Sequence, residues 1–502
     1  MPQGVYGKTV RGGGWFAFSI GGQKAIGLVT FFVLARLLTP EDYGTMTIAL
    51  ILLGIINSLT TIPFGDALIQ KSDSIEPYLD PYWSVDVVRA SLIALVLFIA
   101  GPWLAGFFHI ATASVWLIRL SGLIVLIQSF SNVRQVYFFK HLDLSNVFIR
   151  DMAAQVAFPV VTIAYAMFIE RSAWALFSGT LAQNVIGVIM SYVLYPSRPR
   201  FVIRWGKLRE LFGYTKWVFG QYVFDVVLQQ FDKLVVGKLL TTADVGIYAK
   251  SKDLAGTMTA SLTSLIMKIG LPAFSKVQQD MGKMRQGLQR SIDVLLMTSV
   301  PFALLLLLEG GTIVHLFLGD IWLPLVQTLK IFAFGNIFLA LIALMKSVFG
   351  ALGRPDVNFK TTMIQTALAI PLMIVGIFHD GIRGLSIAIV TTWLLMVLYL
   401  MVRTRMAQLL GFRGQAKAFL AGAFASIGVL IVDMTFRRGV HAFDHPLITI
   451  AWLVGLGLLY YALLFLIGRG HTGGPYETLR SMLRQFHRPS LQSHVDVPSV
   501  GE

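Results

Sequence analysis

The chain has 502 residues, a formal net charge of +15, 56% hydrophobic residues and only 13% charged residues. Soluble domains carry about 25% charged and 45–50% apolar residues, so the composition excludes an ordinary soluble protein. No stretch has enough polar surface to enclose the several cores that a soluble chain of this length would form. Cysteine is absent, which excludes disulfides, thiolate metal sites and thiol nucleophiles. The composition predicts an all-α polytopic membrane protein.

Apolar runs long enough to cross a bilayer recur along nearly the whole chain. A transmembrane helix needs about 20 mostly apolar residues. The first run follows Lys8 and Arg11, and it is too long for the apolar region of a signal peptide, so we expect it to be retained. We predict fourteen transmembrane helices, at residues 13–38, 44–63, 82–107, 114–132, 152–169, 173–195, 214–240, 244–273, 291–309, 323–350, 360–378, 383–402, 416–433 and 447–468.

The positive charges of the connections predict the orientation. Lys and Arg accumulate in loops on the cytoplasmic side of a membrane. The connections from odd to even spans carry four such residues, whereas the other connections and the termini carry twenty-six. This asymmetry predicts that both termini lie in the cytoplasm.

A basic connection from Pro196 to Tyr214 separates the sixth span from the seventh. We therefore predict two lobes with a basic cytoplasmic loop between them. The predicted parts are an N-lobe at 1–195, the loop at 196–213, a C-lobe at 214–405, two further helices at 406–468 and a cytoplasmic tail at 469–502.

An internal repeat supports this division. At an offset of 202 residues, the segment L-L-T-P-E-D-Y-G at 37–44 aligns with L-L-T-T-A-D-V-G at 239–246, and both follow the first span of their lobe. Ser84 and Asp86 align with Ser291 and Asp293, in the third and ninth spans, at an offset of 207 residues. Because six spans is an even number, the two lobes should share one orientation, as in transporters built from parallel repeats with a site between them.

Charged and polar residues inside the predicted spans indicate a cavity. Such residues are costly in a bilayer unless they face a polar interior. In the eighth span, six of them share one helical stripe: Lys250, Asp253, Thr257, Ser261, Ser264 and Lys268. In the seventh span, Gln221, Asp225, Gln229 and Asp232 form a matching stripe, and Lys24 lies near the middle of the first span.

These stripes predict a water-filled cavity in which basic residues predominate. With Arg89 and Arg119 as additions from the third and fourth spans, such a cavity favours an anionic cargo, phosphate above all. Asp225 and Asp253 are candidates for the coupling ion. Three alternatives stay open: the polar stripes hold helices together, the aspartates are permanent partners of nearby lysines, and long side chains near span ends reach the membrane surface.

Signatures of catalysis are missing from the sequence. Neither a G-x-x-x-x-G-K-[ST] loop nor an H-E-x-x-H motif occurs, and the nine histidines are scattered. We expect no cofactor, no metal site and no nucleic-acid partner, and we do not expect an enzyme.

Several of these features resemble a known family. Trp15, the stretch F-F-V-L-A-R-L-L-T-P-E-D-Y-G from Phe31 to Gly44 and the fourteen-span layout resemble Wzx-type bacterial polysaccharide flippases. The resemblance is to the colanic-acid and exopolysaccharide branch of the multidrug/oligosaccharidyl-lipid/polysaccharide exporter superfamily. It implies two six-helix lobes as in the multidrug and toxin extruders, followed by two extra carboxy-terminal helices.

The resemblance also implies a function. The cargo would be an oligosaccharide on undecaprenyl diphosphate, moved from the cytoplasmic to the periplasmic leaflet of the bacterial inner membrane for exopolysaccharide or lipopolysaccharide synthesis. Transport would use alternating access coupled to an ion gradient, beside membrane lipids and a polysaccharide polymerase or export complex. Lipid II flippases use basic residues in helices one, two and eight; here Lys24, Lys250 and Lys268 lie in spans one and eight, and span two has none.

Other functions compete with this one. A cation-coupled drug or metabolite antiporter of the same superfamily would share the fold, but the excess of lysine over aspartate inside the spans argues against a cationic cargo. A membrane polysaccharide polymerase or ligase, and a structural subunit of an assembly complex, are the further alternatives.

Overall fold

The computed structural model describes residues 22–61, 74–140, 144–204, 206 and 229–406, and eight residues between 452 and 463. Within these ranges the regular structure is helical. The helices are α1 (22–37), α2 (Pro40–Thr60), α3 (Glu76–Phe107), α4 (Val115–Ser129), α5 (Val136–Lys140), α6 (Leu144–Phe168), α7 (Ala173–Leu194), α8 (229–239), α9 (Thr242–Lys276), α10 (Met281–Phe317), α11 (Leu325–Ala351) and α12 (Pro355–Met406).

The described helices confirm the predicted fold class. Seven of them are long and apolar enough to cross a membrane, and α12 contains two of the predicted spans. Its backbone leaves the helical region at Asp380 and at Gly381, which has a φ of 53°. This conformation suits glycine, and it separates the spans predicted at 360–378 and 383–402. The span at 416–433 lies outside the described residues, and the last span is described only in part.

Several helices extend beyond the predicted spans. The fifth span is predicted at 152–169, but the helix that contains it, α6, begins at Leu144. Likewise the ninth span was expected at 291–309, whereas α10 runs from Met281 to Phe317. Hydropathy detects only the apolar part of a helix, and both helices continue into polar residues at their ends.

The described residues divide into two compact units. Unit 1 comprises Met1–Asp253, Val314–Val326 and Met373–Leu385, and unit 2 comprises Leu254–Ile313, Gln327–Leu372 and Ser386–Glu502. These units mix helices of the two predicted lobes, so the division into six and eight spans stays a prediction.

In unit 1, the antiparallel pairs α3–α4 and α6–α7 form the most extensive contacts, and α4 also packs against α2 and α7. We call the end that holds the α1–α2, α3–α4, α6–α7 and α8–α9 connections the α1–α2 end. The opposite end, where α2 ends and α3 begins, is the α2–α3 end. There Asn132 donates to the Tyr195 carbonyl (2.6 Å), and Arg134 pairs with Glu76 (2.7 Å).

Unit 2 contains its own apolar core. Met297 and Leu304 of α10 pack with Leu456 and Tyr460. Two carboxylates of α10, Asp293 and Glu309, are buried in this unit.

Candidate functional site

A cavity of about 650 Å³ lies within unit 1, near its α2–α3 end. It is lined by the ends of α2 and α4, the segment 131–135, residues 82–89 of α3, residues 150–154 of α6 and the middle of α7. We call it the polar cavity, because most of its lining side chains carry hydrogen-bonding groups. Its volume is in the range of about 300–1,000 Å³ that is typical of small-molecule sites.

Two arginines of the polar cavity are each paired with an aspartate. Arg89 donates from Nε and Nη2 to Oδ1 of Asp86, at 3.0 and 2.7 Å. Arg150 donates in the same way to Oδ1 of Asp151, at 2.9 and 2.7 Å. The formal charge of these four side chains is therefore zero.

Each arginine also donates to an amide side chain. Nη1 of Arg89 donates to Oδ1 of Asn57 (2.6 Å), and Nη1 of Arg150 donates to Oε1 of Gln135. The cavity thus contains two equivalent sets of arginine, aspartate and amide, at α2–α3 and at α6. Both guanidinium groups are held rigidly by these bonds.

Further amides and two aromatic rings complete the lining of the polar cavity. Gln128 and Gln183 face it from α4 and α7, beside Asn184. On the α3 side lie Tyr82 and Trp83. The indole Nε1 of Trp83 is buried and has no hydrogen-bond partner among the described residues.

A second cavity, of about 180 Å³, lies beside Lys250. The Lys250 ammonium is 4.7 Å from the ring centre of Tyr43 and 5.5 Å from that of Phe31. It also lies 3.8 Å from the carboxylate of Asp253. The electron-rich faces of aromatic rings attract an ammonium. These contacts of Lys250 therefore link α9 to α1 and α2.

The repeated segment forms the same capping box in both copies. Thr39 and Asp42 cap the start of α2, with Thr39 Oγ1 accepting from the Asp42 amide at 3.3 Å. Thr241 and Asp244 do the same at the start of α9, at 3.2 Å. This motif satisfies amide groups that the first turn of a helix leaves without partners, which explains why Thr and Asp recur in the two copies.

The glycines of the repeat lie at the contact between the two copies. A Cβ atom on Gly44 would lie 1.8 Å from the carbonyl oxygen of Thr242, and one on Gly246 would lie 1.9 Å from that of Pro40. Pro40 and Thr242 are themselves equivalent residues in the repeat. The contact is therefore a pseudo-twofold one in which each copy places its glycine against the other's backbone. We call it the glycine contact.

Other bonds hold helices together at the same α1–α2 end. Arg36 donates to the carbonyls of His315, Leu316 and Phe317, the last residues of α10. The indole of Trp322 donates to the Ala35 carbonyl at 2.8 Å. Lys238 of α8 donates to the Phe107 carbonyl at 2.9 Å. Helices from the first six spans and from later spans are thus closed against each other at this end.

The structure brings only some of the predicted site residues together. Arg89 lines the polar cavity, and Lys250 and Asp253 lie near the second cavity. Arg119 lies against the rings of Phe98 and Trp116, at 5.4 and 4.8 Å.

The remaining candidates are dispersed or undescribed. Lys24 is exposed on α1, and Thr257 is half-buried in unit 2. The side chains of Ser261, Ser264 and Lys268, and the whole of Asp225, lie outside the described residues. The basic cavity of spans one, seven and eight therefore stays a prediction.

The seventh-span stripe contains a buried ion pair. Asp232 is 4% exposed, accepts a 2.6 Å hydrogen bond from Tyr248 and pairs with Lys252. The pair links α8 to α9, as expected if the polar stripes hold helices together.

Removing one member of this pair should destabilise the protein strongly. We expect Asp232→Ala to lower the free energy of unfolding by about 1–3 kcal/mol, because it removes the carboxylate that accepts from the buried Tyr248 hydroxyl and pairs with the half-buried Lys252. The double variant Asp232→Leu with Lys252→Met should recover most of that loss. Thermal melting of the purified protein in detergent measures both, and equal melting of wild type and Asp232→Ala would contradict the expectation.

Sequence reasoning missed several residues of the polar cavity. The predicted fifth span begins at residue 152, which places Arg150 in the connection before it, because hydropathy does not identify the polar first turns of α6 as helix. The amides were not singled out because isolated neutral residues give little signal in an apolar run. Gly44 and Gly246 were visible as identical positions of the repeat, but their contact was not foreseen.

Comparison with known protein families gives one match of more than half of the chain. The family described as "Polysaccharide biosynthesis protein" matches residues 33–327. Three curated relatives are similar at low identity. The succinoglycan biosynthesis transport protein ExoT of Rhizobium meliloti is 23% identical, covering 97% of this chain and 96% of its own. The lipopolysaccharide biosynthesis protein WzxC of Escherichia coli K12 is 21% identical, over 76% of this chain and 77% of its own.

The third relative is the teichuronic acid biosynthesis protein TuaB of Bacillus subtilis, 22% identical over 70% of this chain and 73% of its own. Among solved structures, the lipid II flippase MurJ in an inward closed conformation has a TM-score of 0.67 at 14% identity, over 91% of this chain and 99% of MurJ. An inward-facing multidrug resistance transporter of the MATE family scores 0.58 at 14% identity, over 77% and 95%. The chain has the fold of these transporters.

Proposed function

The chain belongs to the polysaccharide biosynthesis protein family, and from this membership we propose that it is a flippase for lipid-linked oligosaccharides. Its cargo is an oligosaccharide repeat unit on undecaprenyl diphosphate, moved from the cytoplasmic to the periplasmic leaflet of the bacterial inner membrane. Both chain termini lie in the cytoplasm, so the α1–α2 end faces the periplasm. The names of the relatives, which act in succinoglycan, lipopolysaccharide and teichuronic acid synthesis, support this cargo class.

One structural observation carries the proposal: a polar cavity near one end of unit 1 coexists with a closed contact at the other end. The polar cavity lies near the α2–α3 end, and the glycine contact closes the α1–α2 end. Alternating access requires such an asymmetry, because the cargo must reach its site from one side at a time. The conformation is therefore the one that receives cargo from the cytoplasm.

The mechanism follows from these parts. The sugars of the cargo enter the cavity in water, while the polyprenyl chain remains in the bilayer. The glycine contact and the bonds around it then separate, and an opening forms at the α1–α2 end. An ion gradient drives the cycle, with Asp225 and Asp253 as the candidate ion-binding residues. The protein acts as a transporter and performs no bond-making chemistry.

Transport by the purified chain tests the proposal. We expect proteoliposomes to bring lipid-linked oligosaccharide from the inner to the outer leaflet, so that membrane-impermeant periodate oxidises the whole sugar pool. Protein-free liposomes should protect the inner-leaflet fraction. Counterflow of ethidium without movement of the lipid would instead identify a drug antiporter, and turnover of the lipid to longer glycans would identify a polymerase.

A further inference from the structure

We propose that the polar cavity of unit 1 is a binding site for neutral sugar rings, and that the diphosphate of the cargo binds outside it. The inference rests on the proposed function, because it assigns one part of the proposed cargo to one cavity. It differs from the expectation of a basic cavity that holds the phosphates.

The charges of the polar cavity argue against a diphosphate. Arg89 and Arg150 each use Nε, Nη1 and Nη2 in bonds to a neighbouring aspartate and amide. Each arginine charge is thus already compensated by a neighbouring carboxylate. A phosphate in the cavity would bring its negative charge close to Asp86 and Asp151 without a net positive charge to offset the repulsion. A neutral ligand avoids this cost.

The hydrogen-bonding groups that remain available match hydroxyl groups. The bonds from the arginines all reach Oδ1 of the aspartates, so Oδ2 of Asp86 and of Asp151 lies outside both pairs. Asn57 and Gln135 accept through their oxygens, which leaves their NH₂ groups as donors. A sugar hydroxyl both donates and accepts, and a mixture of carboxylate oxygens and amide NH₂ groups serves both roles.

The aromatic side of the cavity fits the apolar face of a sugar ring. Tyr82 and Trp83 lie in the lining on the α3 side. Aromatic side chains offer a large apolar surface, and the C–H face of a hexopyranose packs on such a ring. Nε1 of Trp83 is buried, so Trp83 borders the cavity through its ring carbons.

The rigidity of the two arginine sets completes the argument. Because each guanidinium is fixed by at least three hydrogen bonds, the carboxylates and amides around it keep their positions before cargo arrives. A site of this kind binds with less loss of side-chain entropy. The two sets lie on different helices of the same cavity, so the cavity offers fixed polar groups on two sides of its lining.

Binding measurements on the full-length protein in nanodiscs test the proposal. The probes are undecaprenyl diphosphate and the same lipid carrying one glucose or one galactose. The variants are Gln128→Leu, which removes an exposed amide of the cavity at nearly constant volume, and Trp83→Leu, which removes the aromatic ring but keeps an apolar side chain. Gln278→Leu, in the exposed connection between α9 and α10, is the matched control.

We expect wild type to bind the sugar-bearing lipids more tightly than the bare diphosphate. Gln128→Leu and Trp83→Leu should each weaken sugar-lipid binding about fivefold to tenfold, through loss of a hydrogen bond in the first and of the aromatic surface in the second. Binding of the bare lipid should be unchanged in both, and Gln278→Leu should behave as wild type. Unchanged melting temperatures establish that the variants are folded.

Other results separate the two proposals. If a variant bound all three lipids less tightly by the same factor, the diphosphate would also occupy the polar cavity, which would overturn the sugar site. Equal affinity of wild type for bare and sugar-bearing lipid, or unchanged binding by both variants, would overturn it as well while leaving the flippase intact. Failure of wild type to bind any of the lipids would instead overturn the proposed function.

Discussion

Replacement of Gly44 by valine is expected to abolish polysaccharide export, and Gly246→Val should do the same. A Cβ at either position would lie under 2 Å from a backbone carbonyl oxygen of the other repeat copy. Backbone cannot move aside as a flexible side chain does, so the two copies must separate. The protein then loses the closed α1–α2 end, and alternating access requires that this end close in every cycle.

Gly54→Ala is the matched control for this experiment. It lies in α2 like Gly44, but a Cβ there would meet nothing within 4 Å. Alanine should even stabilise the helix by about 1 kcal/mol relative to glycine. Export is measured by complementation of a strain that lacks the chain, with protein levels checked in the membrane.

A reporter distinguishes loss of the contact from misfolding. Because the chain contains no cysteine, a single Ala35→Cys gives a clean background, and Ala35 is only 2% exposed. The thiol should be protected from maleimide in the wild-type background and reactive in the Gly44→Val background. Normal export by a well-expressed Gly44→Val protein would show that the transport cycle does not require the glycine contact.

A covalent link across the α1–α2 end is expected to stop transport completely and reversibly. Lys238 of α8 reaches Phe107 at the end of α3, with its ammonium 4.1 Å from the ring centre. The double variant Phe107→Cys with Lys238→Cys should react with a short bis-methanethiosulfonate linker. The link prevents α3 and α8 from separating, so sugar exposure in proteoliposomes should cease.

Single-cysteine variants and reduction provide the controls for the link. Phe107→Cys alone and Lys238→Cys alone should transport before and after treatment with the linker, and dithiothreitol should restore transport to the linked protein. Transport that continues after complete linking, as judged by mass spectrometry, would contradict an opening between these helices.

The predicted spans agree with the described helices because hydropathy depends on composition over about 20 residues. Its errors lie at the ends, where α6 and α10 continue into polar sequence. The start of α6 contains Arg150 and Asp151, which are two of the four charged residues that line the polar cavity. An error of two turns in one boundary therefore removed one arginine from the predicted site.

Tertiary contacts determine the other features of the site that the sequence did not predict. The repeat was apparent from the sequence, and its threonine and aspartate are explained locally by the capping box. The role of Gly44 and Gly246 depends on the other copy, which lies 202 positions away in the sequence. Asp86 was visible at i,i+3 from Arg89, but whether such a pair faces lipid or a cavity depends on how the neighbouring helices pack.

The bonds from Arg36 to the carboxy-terminal carbonyls of α10 have a consequence for the moment of release. If α1 and α10 part, the carbonyls of His315, Leu316 and Phe317 lose their donor at once. Carbonyls at a helix terminus have no partner inside the helix, and hydrocarbon offers none, so only water can replace the guanidinium. Water must therefore enter the exit as it forms, so a hydrophilic glycan contacts solvent there before it contacts lipid.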